Sequence, residues 1–141
     1  MGALTVTHFL DTNVLIYAAS PPQEDAQKRA RAQALLAREN GALSTQVLRE
    51  FYTQVTRPTR PGRLPHDVAV QFIQAWRRFP VQPMTLEIFD AALQIKVEHG
   101  FSYWDSAIIA AARALGCTTL YTEDLSHGRQ IAGVIIINTF R

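Results

Sequence analysis

Four short apolar runs constrain this chain more than any other feature. Val6–Leu10, Ala42–Ser44, Thr118–Thr122 and Val134–Asn138 are each strand-sized, and the last two are rich in β-branched residues. Helix-length segments separate them. Asp25 to Asn40, introduced by Pro21-Pro22, is rich in Ala, Leu and Arg and meets a stop at Gly41. From about Gln46 to Thr56, the apolar residues Val47, Phe51 and Val55 recur every fourth position, with Glu50 one residue off that stripe. Leu64 to Phe79 has Pro65 near its start, Thr85 to His99 runs from an N-cap threonine to Gly100, and an alanine-rich segment runs from Ser102 to Leu115 before Gly116. Strands spaced by helices cannot pair as tight hairpins and must lie parallel, joined by right-handed crossovers. The expected fold is therefore α/β, a sandwich with a central parallel sheet between helices. The segment Arg57-Pro58-Thr59-Arg60-Pro61-Gly62-Arg63 suits no regular element and reads as a basic loop.

The 141 residues suit one domain, spanning 1–141, at ~100 to 200 residues per domain. The longest unbroken apolar run, Ile131 to Ile137, falls far short of the ~20 residues that a bilayer span needs, so membrane association is not expected. A lone cysteine, Cys117, excludes an internal disulfide framework and points to a reducing, cytoplasmic compartment. Net charge is only +2, but twelve of the fourteen basic residues are arginine. That bias fits a GC-rich coding sequence as well as it fits phosphate contacts.

In open parallel sheets, ligands gather beyond the carboxyl ends of the strands. Asp11 ends the first apolar run, in Asp11-Thr12-Asn13, and Asp124 lies two residues past Thr122. Asp105 opens the alanine-rich helix, and Glu50 lies in the helix after Ala42–Ser44. Each has an ordinary alternative. Asp105 fits the capping-box spacing Ser102-x-x-Asp105, Glu50 suits a solvated helix face, and Asp11 and Asp124 suit polar turns. Four such acids at one end of a sheet are harder to dismiss. At ~6 Å and an effective dielectric of about 20, each pair would repel by roughly 3 kcal/mol, so an empty cluster must take up protons or cations. Hard divalent cations such as Mg2+ or Mn2+ prefer such oxygen donors, and they can polarise a phosphodiester and activate water.

Other chemistries for acids at strand ends lack their partners. A phosphoryl-aspartate hydrolase needs a second Asp where Asn13 stands, and a receiver domain needs a lysine after a late strand, whereas Lys28 and Lys96 fall in helical segments. No glycine-rich phosphate loop occurs, Cys117 has no base beside it, and the four histidines lack metal-ligand spacing.

The stretches Phe9 to Leu15, Leu43 to Phe51, Tyr103-Trp104-Asp105-Ser106 and Thr122-Glu123-Asp124-Leu125 resemble the acidic blocks of PIN-domain ribonucleases, closest to VapC-type toxins of bacterial toxin–antitoxin pairs. The likeness spans essentially the whole chain in the family's order, and departs at Thr139, where many relatives carry proline. It implies a three-layer α/β/α sandwich, with Asp11, Glu50, Asp105 and Asp124 as metal-binding catalytic acids and Asn13 and Thr122 supporting them. It further implies Mg2+- or Mn2+-dependent endonucleolytic cleavage of RNA to a 5′-phosphate and a 3′-hydroxyl, homodimerisation, and inhibition by a small cognate antitoxin. Setting those four acids aside leaves fourteen basic side chains against eight acidic ones, a net +6 suited to RNA. The loop arginines Arg57, Arg60 and Arg63 are expected to hold the RNA backbone. The same residues also fit a non-catalytic nucleic-acid-binding module, or a DNA-directed nuclease of the same fold, because metal and phosphate contacts do not read the 2′-hydroxyl.

Overall fold

The computed structural model describes residues 6–21 and 25–141. The elements run β1 (His8–Leu10), α1 (Thr12–Ala18), α2 (Ala26–Leu36), β2 (Gly41–Ser44), α3 (Thr45–Val55), α4 (His66–Trp76), β3 (Val81–Gln82), α5 (Leu86–His99), α6 (Tyr103–Ala114), β4 (Thr119–Tyr121), β5 (Gln130–Ile131) and β6 (Val134–Ile137). The strands form one sheet in the order β3-β2-β1-β4-β6-β5. All neighbours are parallel except β5 and β6.

The order explains the layers. From β1 the chain steps outward through β2 to β3, then crosses back to enter β4 on the other side of β1. Right-handed crossovers in opposite directions put their helices on opposite faces, α1 to α4 on one and α5 with α6 on the other. The packing agrees: α1 contacts α2 and α3, α3 contacts α4, and α5 packs along α6. Phe9, Leu10, Leu43, Leu120 and Ile136 fill the core between the layers without exposure. Every residue from Ser106 to Ala112 of α6 is buried, and its small alanines let that helix lie close between the sheet and α5.

Several expectations need correction. The polar stretch after β1 is not a free turn but the start of α1, with Asp11 as N-cap. Helix α2 ends at Leu36, short of Asn40, and Gly41 opens β2 instead of stopping a helix. A Cβ at Gly41 would lie 3.3 Å from the Phe79 ring and 3.4 Å from His8 Nε2, so the close approach of the neighbouring side chains favours glycine there. Of the two prolines before α2, Pro22 lies outside the described residues. The sheet is also not wholly parallel. The run Ile131 to Ile137 contains a hairpin, with Ile131 opposite Val134 and a two-residue turn at Ala132 (φ 53°) and Gly133 (φ 85°). Two positive φ values in succession match the tight turn whose twist suits β-hairpins.

Alanine is strained at that first turn position, where asparagine is favoured. Ala132→Asn is therefore expected to raise stability by about 0.5–1 kcal/mol, read as a higher midpoint in thermal unfolding. An unchanged or lower midpoint would contradict the strained-turn assignment.

Candidate active site

The sheet reverses its strand order between β1 and β4, and the carboxyl ends of those two strands carry the first acids. Asp11 follows β1 directly, and only 6% of it is exposed. Its Oδ1 accepts from the backbone N–H of Thr12 at 2.7 Å, and its Oδ2 accepts from the Thr122 hydroxyl at 2.8 Å. Pairing of Leu10 with Tyr121 sets this register and brings Thr122, the next residue on, beside Asp11. The buried Thr122 hydroxyl accepts in turn from the Asp124 N–H at 3.1 Å and from the Asn13 amide at 3.3 Å. Asn13 Nδ2 also donates to Asp124 Oδ2 at 3.1 Å. Two threonine-to-aspartate segments at adjacent strand ends are thus laced together.

Glu50 reaches this point from α3. Its Oε1 accepts from the Thr12 hydroxyl at 2.6 Å and its Oε2 from Gln46 Nε2 at 3.2 Å. Asp105 comes from the first turn of α6, where its N–H donates to Ser102 Oγ at 3.1 Å. Among the described residues only that half of the anticipated capping box forms, so the cap rests on the Asp105 backbone while its side chain lines a cavity. The cavity encloses about 440 Å³ and brings together Asp11, Asn13, Glu50, Asp105 and Asp124. Arg60 lines it as well, whereas Arg57 and Arg63 stand exposed on the same loop and do not.

The crowding of acids has an electrostatic signature. Burial, reinforced by the charges of Asp124 and Glu50, pushes the Asp11 carboxyl up to about 7, despite the opposing bonds from Thr122 and Thr12. Burial also raises Asp124, with Glu123 and Asp105 adding to it and the Asn13 bond opposing it. Without a cation the Asp11 carboxyl therefore keeps its proton up to about pH 7. The donors are all oxygen, and two buried oxygens at the cavity, Asn13 Oδ1 and Gln46 Oε1, have no partner among the described residues. No three acids among the described residues converge closely enough to grip one ion by themselves. Such a set fits Mg2+ or Mn2+ held by one or two carboxylates, with water and substrate phosphate completing the shell.

Several participants escape sequence reasoning. Gln46 lies one helical turn before Glu50, a spacing that places both on one face of α3 and offered a signal. Glu123 is a fifth acid lining the cavity. Tyr17 donates to it at 2.7 Å and Lys28 pairs with it at 3.4 Å, so its charge is matched from α1 and α2. Nothing in the sequence links Lys28 to Glu123, which lies 95 residues away.

The PIN-domain family profile matches residues 8–130, which include all four acids. The chain belongs to the PIN-domain family. No curated protein matches it in sequence. Similar solved structures include a toxin–antitoxin complex from Klebsiella pneumoniae, with a TM-score of 0.71 and 20% identity over 95% of this chain and 98% of the other. Another is VapC20 of Mycobacterium tuberculosis, a toxin that cleaves the sarcin–ricin loop, with a TM-score of 0.65 and 24% identity over 84% and 90%. DNA-bound VapBC from Salmonella typhimurium gives 0.67 and 19% identity over 96% and 99%. At these identities the likeness establishes a shared fold. The described residues of this PIN domain contain no helix long and apolar enough to cross a membrane.

The Asp11 pKa carries a stability consequence in chelator. Between about 4, the unfolded value, and about 7, the native state binds the extra proton, so native stability falls as pH rises through that window. Asp11→Asn carries no such charge and keeps an acceptor for the Thr12 N–H. Its stability relative to wild type in EDTA is expected to climb between pH 4 and 7, reaching a few kcal/mol above pH 7. Parallel stability curves for the two proteins across this range would refute the buried-charge assignment.

Proposed function

We propose that this PIN domain is a Mg2+- or Mn2+-dependent endoribonuclease and the toxin of a toxin–antitoxin pair. The observation that carries the reading is the convergence of Asp11, Glu50, Asp105 and Asp124 from four separate elements on one cavity at the sheet's reversal point. The RNA-cleaving activity of VapC20 and the toxin–antitoxin complexes among the similar structures support it.

Asp11 and Asp124, on adjacent strand ends, and Glu50 and Asp105, from the helices opposite, would share the metal binding, one or two carboxylates to an ion. Bound Mg2+ or Mn2+ supplies polarisation of the scissile phosphodiester and a water acidic enough to attack it, leaving a 5′-phosphate and a 3′-hydroxyl. The protein's share is orientation. Thr122 and Thr12 hold one oxygen each of Asp11 and Glu50, leaving the remaining lone pairs for the metal side. Asn13 fixes Asp124 in the same way. Arg60, which lines the cavity, would meet a phosphate entering it, while Arg57 and Arg63 would extend the basic path outside it.

A small cognate antitoxin would block the site by placing a basic side chain among these carboxylates, so inhibition should weaken as Mg2+ rises. A second copy of the chain is the other expected partner. The exposed apolar stripe Leu86, Phe89, Leu93 and Val97 on α5 offers a face for that homodimer. The compartment in keeping with this activity is the cytoplasm.

Incubation of purified protein with total cellular RNA and Mg2+, followed by mapping of the cut ends, tests the reading. Cleavage with 5′-phosphate ends is expected, lost in EDTA and lost in both Asp11→Asn and Asp105→Asn. Because the cap at Asp105 is a backbone bond, Asp105→Asn should keep its melting temperature. Thr122→Val should retain cleavage reduced by about 10- to 100-fold, the usual cost of an outer partner of a metal ligand. Wild-type cleavage by Asp11→Asn at saturating Mg2+, or cleavage of DNA but not RNA, would sink the proposal.

A further inference from the structure

Trp104 is the one large aromatic at the acidic cavity that the site chemistry does not use. Its side chain is 62% exposed although it sits beside Asp105, at the start of a helix that is otherwise buried along most of its length. The indole borders two depressions at once. One is the acidic cavity, and the other is an adjoining groove of about 250 Å³ that runs along α3 past Gln46, Arg49, Glu50 and Thr53. Arg49 is exposed, and its guanidinium makes neither a hydrogen bond nor an ion pair among the described residues. Trp104 itself is held in place. Gln46 Nε2 donates both to the Trp104 carbonyl oxygen and to Glu50 Oε2, each at 3.2 Å, and Tyr103 meets the indole edge-on at 5.0 Å.

We propose that this groove is a nucleotide subsite, in which the base flanking the scissile phosphate stacks on the Trp104 indole and the adjoining phosphate pairs with the Arg49 guanidinium. The assignment deepens the ribonuclease reading and rests on it. An aromatic plane with a free cation beside it is the combination that binds single-stranded nucleic acid, since every base has a face to stack and every nucleotide a phosphate to pair. Paired RNA keeps its bases stacked within the helix, so the subsite selects an unpaired nucleotide. Through Gln46, the residue that receives the base is tied to Glu50, so seating of the base and placement of that carboxylate are linked.

The rival occupant is a second copy of the chain. Trp104 continues through Tyr103 to Phe89 of α5, whose ring lies 5.8 Å from that of Tyr103, so an apolar interface could extend over the indole. The experiment separates the two. In the Asp11→Asn background, used to prevent cutting, short fluorescein-labelled oligoadenylate and oligouridylate are titrated in Mg2+, with their anisotropy followed in every variant and tryptophan emission followed in the parent as well. Trp76 is buried, so quenching reports Trp104. Trp104→Ala should weaken binding by about 5- to 150-fold and Trp104→Phe far less, because phenylalanine still stacks. Replacing the oligonucleotide by an abasic one of the same length should cost the Asp11→Asn parent that factor more than it costs Trp104→Ala. Arg49→Gln should flatten the slope of log affinity against log salt by about 0.7. Unchanged affinity in folded Trp104→Ala would overturn the subsite. So would a change confined to its sedimentation, which would assign the indole to contact between copies. If the parent protein binds neither oligonucleotide and wild type cuts no RNA, the ribonuclease reading fails first. If wild type cuts RNA while Trp104→Ala binds normally, only the subsite fails.

Discussion

Asp11 carries a charge that the fold buries at the end of its central strand, and most of the site can be understood as the response to that burial. A carboxylate there cannot be left bare. Its two oxygens are met by the Thr12 N–H and the Thr122 hydroxyl, yet burial, with smaller contributions from the charges of Asp124 and Glu50, still holds its pKa at about 7. A site in this condition is poised between a proton and a divalent cation. The same excess of negative charge that destabilises the empty cluster is what would draw a metal into it.

The topology makes this concentration possible. Because β1 lies between β2 and β4, the crossover that leaves β1 and the one that enters β4 cover opposite faces of the sheet, and the two strand ends at the reversal can each offer an acid to the space between them. Helices α3 and α6 then approach from opposite faces, one bringing Glu50 and the other Asp105. Gln46 bridges them by bonding to Glu50 on its own helix and to the Trp104 carbonyl on the other. Each carboxylate is thus fixed by an element whose own position is set by core packing, which is how a catalytic arrangement keeps its geometry.

Those parts of the fold that depend on local chemistry were legible in the sequence. Thr85 and Ser102 cap α5 and α6 as their spacing predicts, Gly100 ends α5 at φ 76°, and the β-branched runs around Leu120 and Ile136 are strands. What failed depended on distant partners. Gly41 resembled a helix stop because its reason for being glycine is Phe79, 38 positions on. The short strand β3 exists only because Val81 and Gln82 pair with Leu43 and Ser44, and two residues give no periodicity to detect. Within the site, the acids could be picked out because strand ends concentrate them. The threonine hydroxyls that orient them are common residues whose role appears only when β1 and β4 are side by side.

The balance of charge within the cavity also separates the acids by role. Five carboxylates line it, but Glu123 is engaged by both the Tyr17 hydroxyl and the Lys28 ammonium. The Lys28 pair is partly exposed, at a separation where ion pairs contribute little to stability. Its effect is better seen as local: it matches one of five negative charges and leaves the other four facing the same space. Asp124 shows the residual influence, since Glu123 still helps to hold its carboxyl above the ordinary value. The cavity thus offers four carboxylates that no basic side chain has claimed among the described residues, with Arg60 also in its lining. Such a division of charge suits the proposed roles, with a metal among the free carboxylates and a phosphate beside Arg60.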